Sequence, residues 1–251
     1  MDKPAHFASE LGVVPEFAAF VATSPWLLGA PKGFGRHTLV IPGFAAGDLT
    51  TIPLRTTLRM LGHRPHGWGL GTNVGPDNNT LRSLMRLVDR LVHLNNGPID
   101  IVGWSLGGIL ARLIAIHRPE DVRQVVSLGS PLRVDDPNNL SPSVRNLATL
   151  AGLKAGPSDL RRVPVPSTSV FSHNDGVVSV SSSMQRPGPE AENVEVRGSH
   201  SGLAHNPAVV WVVADRLAQA DDTWRPFEPP LHLRLLYPRG ERPRTATRRP
   251  R

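Results

Sequence analysis

One stretch constrains this chain more than any other. Residues 99–115 read Ile-Asp-Ile-Val-Gly-Trp-Ser-Leu-Gly-Gly-Ile-Leu-Ala-Arg-Leu-Ile-Ala. Ile99-Asp100-Ile101-Val102 is a short β-branched apolar run that stops at Gly103, and apolar residues then recur at helical spacing through Ile109, Leu110, Leu113 and Ile114. The pattern is strand, tight turn, helix.

The turn itself, Gly103-Trp104-Ser105-Leu106-Gly107, fits Gly-x-Ser-x-Gly, the pattern of a nucleophile elbow. A serine held on a strained bend needs neighbours without bulk, two residues to either side, so that strand and helix can pack closely. Gly108 extends the small patch. The same bend puts Ser105 at the N-terminus of the next helix, where unpaired N–H groups and the helix dipole favour negative charge.

Other periodic segments surround this unit. Thr38-Leu39-Val40-Ile41 reads as a buried strand ended by Pro42-Gly43, and Thr50 is placed to cap a helix running to Leu61 with Gly62 as its stop. Arg64 to Gly71 is a short strand entering a glycine-rich loop. A helix beginning at Asn79 or Thr80 carries Leu81, Leu84, Leu87, Val88, Leu91 and Leu94 inward. Strands follow at 122–128, 168–172 and 193–196, and Asn206-Pro207 opens a last helix to about Gln219. Strands alternating with helices predict an α/β fold: a mostly parallel sheet, helices on both faces, and a site at the carboxyl ends of the strands. Between the strands, 132–165 loses sheet pattern, as a short lid insertion after the strand at 122–128 would.

A length of 251 residues suits one buried domain with appendages, expected as an arm over 1–35, a domain over 36–224 and a tail over 225–251. A helix over Pro15 to Thr23 is expected in the arm. The net charge of +7 would imply nucleic acid were it spread over the fold. It is not: the tail holds eight Arg and two Glu, and the remainder is close to neutral. Rich in Arg and Pro, the tail is expected to be disordered or loosely laid on the surface, without a nucleic-acid role. The chain has no cysteine, so thiolate chemistry and disulfides are excluded. No secretory signal or membrane span is legible, and a cytoplasmic protein is expected, with at most weak membrane-surface association through 17–30.

A serine hydroxyl is a poor nucleophile at neutral pH, so Ser105 needs a base and a group orienting that base. Asp175 follows the strand at 168–172 and His200 the strand at 193–196, both where strand ends converge. Asp175 is expected to orient His200, and His200 to take and return the serine proton. Asp135 and Asp136 are rival acids, and His205 and His173 rival bases. The oxyanion donors are expected to be the backbone N–H of Leu106 and of Phe44, with Ala45 second to Phe44. Trp104 beside the nucleophile, with Leu140, Val144 and Leu147 of the insertion, is expected to meet the substrate. The pairs His63/His66 and His200/His205 lack the ligand complement of a zinc site, and the glycines at 67, 69 and 71 do not complete Gly-x-Gly-x-x-Gly. No metal or cofactor is expected.

With Gly103 to Gly107, Asp175-Gly176-Val177-Val178 and Gly198-Ser199-His200 in place, the chain resembles the α/β-hydrolase superfamily over residues 36–220, in particular bacterial esterases and lipases like the triacylglycerol lipases. Pro42-Gly43-Phe44 is similar to their His-Gly-x oxyanion loop, with proline where many members have histidine. The resemblance implies a serine hydrolase of carboxylic esters, with Ser105, Asp175 and His200 as its triad. Acyl transfer or amide cleavage on the same triad, and an inert hydrolase fold retained for binding, are the alternatives.

Overall fold

In a computed structural model, the residues described are 20, 26–133, 160–221 and 223–238. Six strands form one sheet: β1 (His37–Ile41), β2 (Arg64–Gly67), β3 (Ile99–Trp104), β4 (Val122–Leu128), β5 (Ser167–Phe171) and β6 (Ala191–Glu195). Their order is β2-β1-β3-β4-β5-β6 and every pairing is parallel. The chain moves outward from β1 to β2, then crosses back to β3 on the other side of β1. That reversal opens a crevice between the carboxyl ends of β1 and β3, which is where a ligand site forms in open parallel sheets.

Alternation along the strands supplies both layers. Val40, Val102, Val126, Val170 and Val194 share one apolar cluster with Leu54 and Leu58 of α1 (Ile52–Met60) and the valines of the last helix. Leu39, Ile41, Ile101 and Val125 point the other way, into a cluster with α2 (Asn78–Asn95) and α3 (Leu106–His117). A four-residue turn of helix, α4 (Val180–Ser183), precedes β6, and α5 (Pro207–Leu217) closes the described α/β core. Each face is thus covered by helices, as the sequence implied.

Several local details differ from the sequence reading. Thr50 does not cap α1, because a 3-10 turn over Asp48–Thr51 leads into it and the Thr50 hydroxyl donates to Gly47 O instead. Helix α2 begins one or two residues earlier than expected. Asp77 is its cap and accepts from the N–H groups of Asn79 and Thr80 at 2.6 and 2.8 Å. Leu94, counted on the apolar face, is 53% exposed. Residues 134–159, most of the expected lid including Leu140, Val144, Leu147, Asp135 and Asp136, lie outside the described residues, as does the helix expected over 15–23. Of the flanks of that insertion, Leu132 and Leu160 are buried, and Val163 and Val165 pack on the core.

The expectation of a loose tail needs correction over residues 225–238. This segment runs along α5 from its C-terminal end to its N-terminal end: Arg225 O accepts from Arg216 Nη1, His232 meets Trp211 edge to face, and Tyr237 Oη donates to Ala208 O at 3.0 Å. Leu233 and Tyr237 are buried. Arg, Glu and Pro make up half of the segment, but two apolar anchors, Leu233 in a 3-10 turn (Leu231–Leu236) and Tyr237 just after it, decide where it lies. Residues 239–251 lie outside the described part.

Candidate active site

Ser105 sits between the last residue of β3 and the first of α3 with φ +52° and ψ −119°, a conformation costly for any residue with a Cβ. The bend is held by the surrounding packing. Ser105 N–H donates to Leu128 O on the neighbouring strand at 2.8 Å, and a Cβ on Gly103 or Gly107 would overlap the backbone of α3 or the end of β1. Behind the bend, the fully buried Arg112 of α3 donates to Leu160 O, Ser127 Oγ and Gln185 Oε1, tying the helix to three segments at once. Burial pushes its guanidinium down to about 9, so it stays charged at neutral pH.

The base arrives from the loop after β6. His200 Nε2 lies 2.9 Å from Ser105 Oγ, and its Nδ1 lies 2.7 Å from Asp175 Oδ2. A carboxylate only accepts, which places the ring proton on Nδ1 and leaves Nε2 to accept from the serine hydroxyl. Ser105 is 3% exposed and His200 6%, so little water competes for these contacts. The carboxylate is fixed from its other side, because Oδ1 accepts from Val177 and Val178 N–H at 2.8 and 2.7 Å. Ser172 Oγ accepts from both Asn174 and Gly198 N–H, joining the loop that carries Asp175 to the loop that carries His200. Asn206 closes the histidine loop, capping α5 at Ala208 N–H while its amide donates to Arg197 O.

The three side chains singled out in the sequence therefore meet. The rival histidines do not replace His200: His173 is largely exposed beside Glu195, and His205 is buried in the turn before α5. Trp104 donates from Nε1 to His200 O at 3.1 Å and half-covers the histidine loop. Phe44 N–H has no partner among the described residues, and Leu106 opens α3, where an N–H has no partner within its helix. Ala45, the second choice, is excluded because its N–H already donates to Asn73 O at 2.7 Å. A Cβ on Gly43 would lie 3.2 Å from Ser105 Cβ, so the turn after β1 adjoins the serine.

Two contributors escaped the sequence reading. Gly129, just after β4, has φ +55°, and a Cβ there would come within 2.7 Å of Leu203, 3.0 Å of Asp175 Oδ2 and 3.3 Å of His200 Nδ1. Its missing side chain is the space in which the carboxylate and imidazole meet. Asn73, in the polar loop after β2, is fully buried against the turn after β1. A glycine at the carboxyl end of a central strand was the available signal for the first; nothing local marked the second. Among the described residues, no three His, Cys, Asp or Glu side chains cluster as metal ligands would.

Comparison with known proteins agrees with this geometry. The model of the alpha/beta hydrolase fold family matches residues 64–211, more than half of the chain. The chain belongs to this family. Among solved α/β-hydrolase-like structures, lipase B of Aspergillus fumigatus is 14% identical with a TM-score of 0.55, over 74% of this chain and 53% of that one. A lipase-esterase related protein of Clostridium acetobutylicum ATCC 824 is 15% identical with a TM-score of 0.51, over 75% and 97%. The pyrethroid hydrolase PytH is 16% identical with a TM-score of 0.54, over 74% and 99%. At such identities the likeness is one of fold. No helix among the described residues of this α/β hydrolase is long and apolar enough to cross a membrane.

Proposed function

We propose that this α/β hydrolase is a serine hydrolase that cleaves carboxylic esters through an acyl-enzyme. The observation that carries the reading is the unbroken line Ser105 Oγ, His200 Nε2, His200 Nδ1, Asp175 Oδ2, with contacts of 2.9 and 2.7 Å. Ser105 attacks the acyl carbon as His200 takes its proton, and Asp175 stabilises the imidazolium that results. The negative oxygen of the tetrahedral intermediate is received by the N–H groups of Leu106 and Phe44. His200 then returns the proton to the departing alcohol, and water repeats the sequence on the acyl-enzyme. These steps call for no metal or organic cofactor.

In this reading Trp104, beside the nucleophile, meets an apolar acyl group of a small-molecule or lipid ester. A p-nitrophenyl ester series of increasing chain length, run with the full chain, tests the activity, and labelling by a fluorophosphonate tests the nucleophile. Hydrolysis of at least one ester and labelling lost in Ser105→Ala are expected. A folded wild-type protein that neither hydrolyses nor labels would make this a binding protein instead. Faster product release on adding alcohol acceptors would move the assignment to acyl transfer.

A further inference from the structure

The glycine-rich run after β2 fits no dinucleotide fingerprint and has no part in the proton relay, yet it is tightly tied to the turn after β1. One carboxylate begins the tie: Asp48 Oδ1 accepts from Trp68 N–H at 2.9 Å and its Oδ2 from Gly69 N–H at 3.0 Å. A Cβ at Gly67 would overlap that carboxylate. The buried Trp68 donates from Nε1 to Gly71 O at 2.9 Å, bending the loop back on itself.

From this anchored loop Asn73 reaches the turn through three hydrogen bonds. Its Nδ2–H donates to Pro42 O at 2.8 Å, its backbone N–H donates to Ala46 O at 2.8 Å, and its carbonyl accepts from Ala45 N–H at 2.7 Å. Asn73 Oδ1 accepts from Gly75 N–H at 3.2 Å, which fixes the amide so that its nitrogen faces Pro42. The turn needs the support. Ala45 stands at φ +57°, a region alanine avoids, and the turn's own closing bond, Ala46 N–H to Gly43 O, is 3.2 Å long. Between the groups that Asn73 grips lies Phe44, with its N–H unengaged among the described residues and the adjacent Gly43 against Ser105.

We infer that Asn73 is the positioning residue of the oxyanion turn: by engaging Pro42 O, Ala45 N–H and Ala46 O it holds Phe44 N–H where, with Leu106 N–H, it meets the reacting oxygen. The inference rests on the hydrolase reading above. It assigns the glycine-rich loop and Asp48 the task of holding Asn73 in place.

Kinetics of Asn73→Ala and Asn73→Asp in the full chain on a p-nitrophenyl ester, with circular dichroism to confirm folding, test it. Misplacing one oxyanion donor lowers kcat by about 10- to 100-fold and leaves KM within about threefold, because the donor acts on the transition state. In Asn73→Asp the ionised side chain offers Pro42 O no hydrogen, whereas the protonated carboxyl does. The rate of this variant relative to wild type is therefore expected to rise as pH falls. A purely structural role would give a constant ratio. Folded Asn73→Ala with kcat within threefold of wild type, or a pH-independent ratio for Asn73→Asp, overturns the inference. Collapse of both variants would assign Asn73 to holding the domain together and overturn it equally. Wild-type protein inert to esters and to fluorophosphonate would instead remove the underlying reading, so the two failures are distinguishable.

Discussion

The two ends of the sheet both bury charge and histidine, but they use them in opposite ways. At the amino end, on the face toward α5, Asp100 accepts from Arg123 Nε at 2.7 Å and from Gln124 Nε2 at 3.1 Å, and Arg216 donates to Glu192 at 2.6 Å. Arg123 also donates to Leu217 O and Gln219 O, and Gln124 to Arg216 O, so this row satisfies the free carbonyls at the end of α5. At the carboxyl end the polar groups converge on one place: a serine in a disfavoured conformation, an imidazole bonded through both nitrogens, and the Phe44 N–H without an acceptor among the described residues. His63 makes the contrast sharpest. It is 3% exposed, neither ring nitrogen has a partner among the described residues, it packs on Gly33, and burial beside Arg123 holds its pKa down to about 4. Burial of a titratable group is therefore no mark of chemistry by itself. What separates the ends is convergence: Ser105, His200 and Asp175 form one continuous line from hydroxyl to carboxylate, whereas His63 stands outside any such relay.

The largest expected effect belongs to the carboxyl end. Ser105→Ala and His200→Ala should each lower kcat by about 10⁴-fold or more without a comparable loss of stability, and the double variant should be little worse, as groups that act as a unit require. Steady-state kinetics beside thermal melts check this. Equal activity of Asp175→Asn and wild type would dissolve the distinction between the ends, because the acid would then be only another buried carboxylate. The amino end should respond the other way round. Arg123→Met leaves Asp100 buried and uncompensated, at a cost of about 3 kcal/mol in urea unfolding, with kcat per folded molecule unchanged.

Gly129→Ala comes next, and it should sharpen the comparison by moving both quantities. The added methyl enters between Asp175 and His200 at a positive φ, so a drop in kcat of about 10²-fold is expected together with a stability loss of about 1 kcal/mol. The smallest effect at neutral pH is at His63, where it emerges only on acidification. Its folded pKa lies below that of the unfolded chain, so the unfolded state binds more protons between pH 6.5 and 4. Its contribution is complete above pH 6.5 and is lost as pH falls toward 4. His63→Gln should flatten the fall in unfolding free energy, measured in urea, across that window by about 3 kcal/mol, leaving activity at pH 7 as it was.

The sequence made the carboxyl end more legible than the rest, for a physical reason. A bend such as Gly103 to Gly107 is written into adjacent residues, and the positions of Asp175 and His200 follow from strand ends that alternating apolar runs already mark. Asp77, Gly129 and Asn73 were not legible in this way. Asp77 competes with a neighbouring Asn79 and Thr80 of equal capping chemistry, and only the backbone geometry chooses among them. Gly129 and Asn73 matter because of residues far away in the chain, whose approach no local period announces. The segment 225–238 was misjudged because its arginines and prolines outnumber the two side chains, Leu233 and Tyr237, that fasten it.

That fastening has a consequence for synthesis. The nucleophile leaves the ribosome early, the imidazole about a hundred residues later, and the phenol that grips the first turn of the helix behind that imidazole later still. A nascent chain cut off before Tyr237 would carry a serine with its partners present and their mounting incomplete, so newly made molecules are expected to gain activity only after Tyr237 has been added and docked.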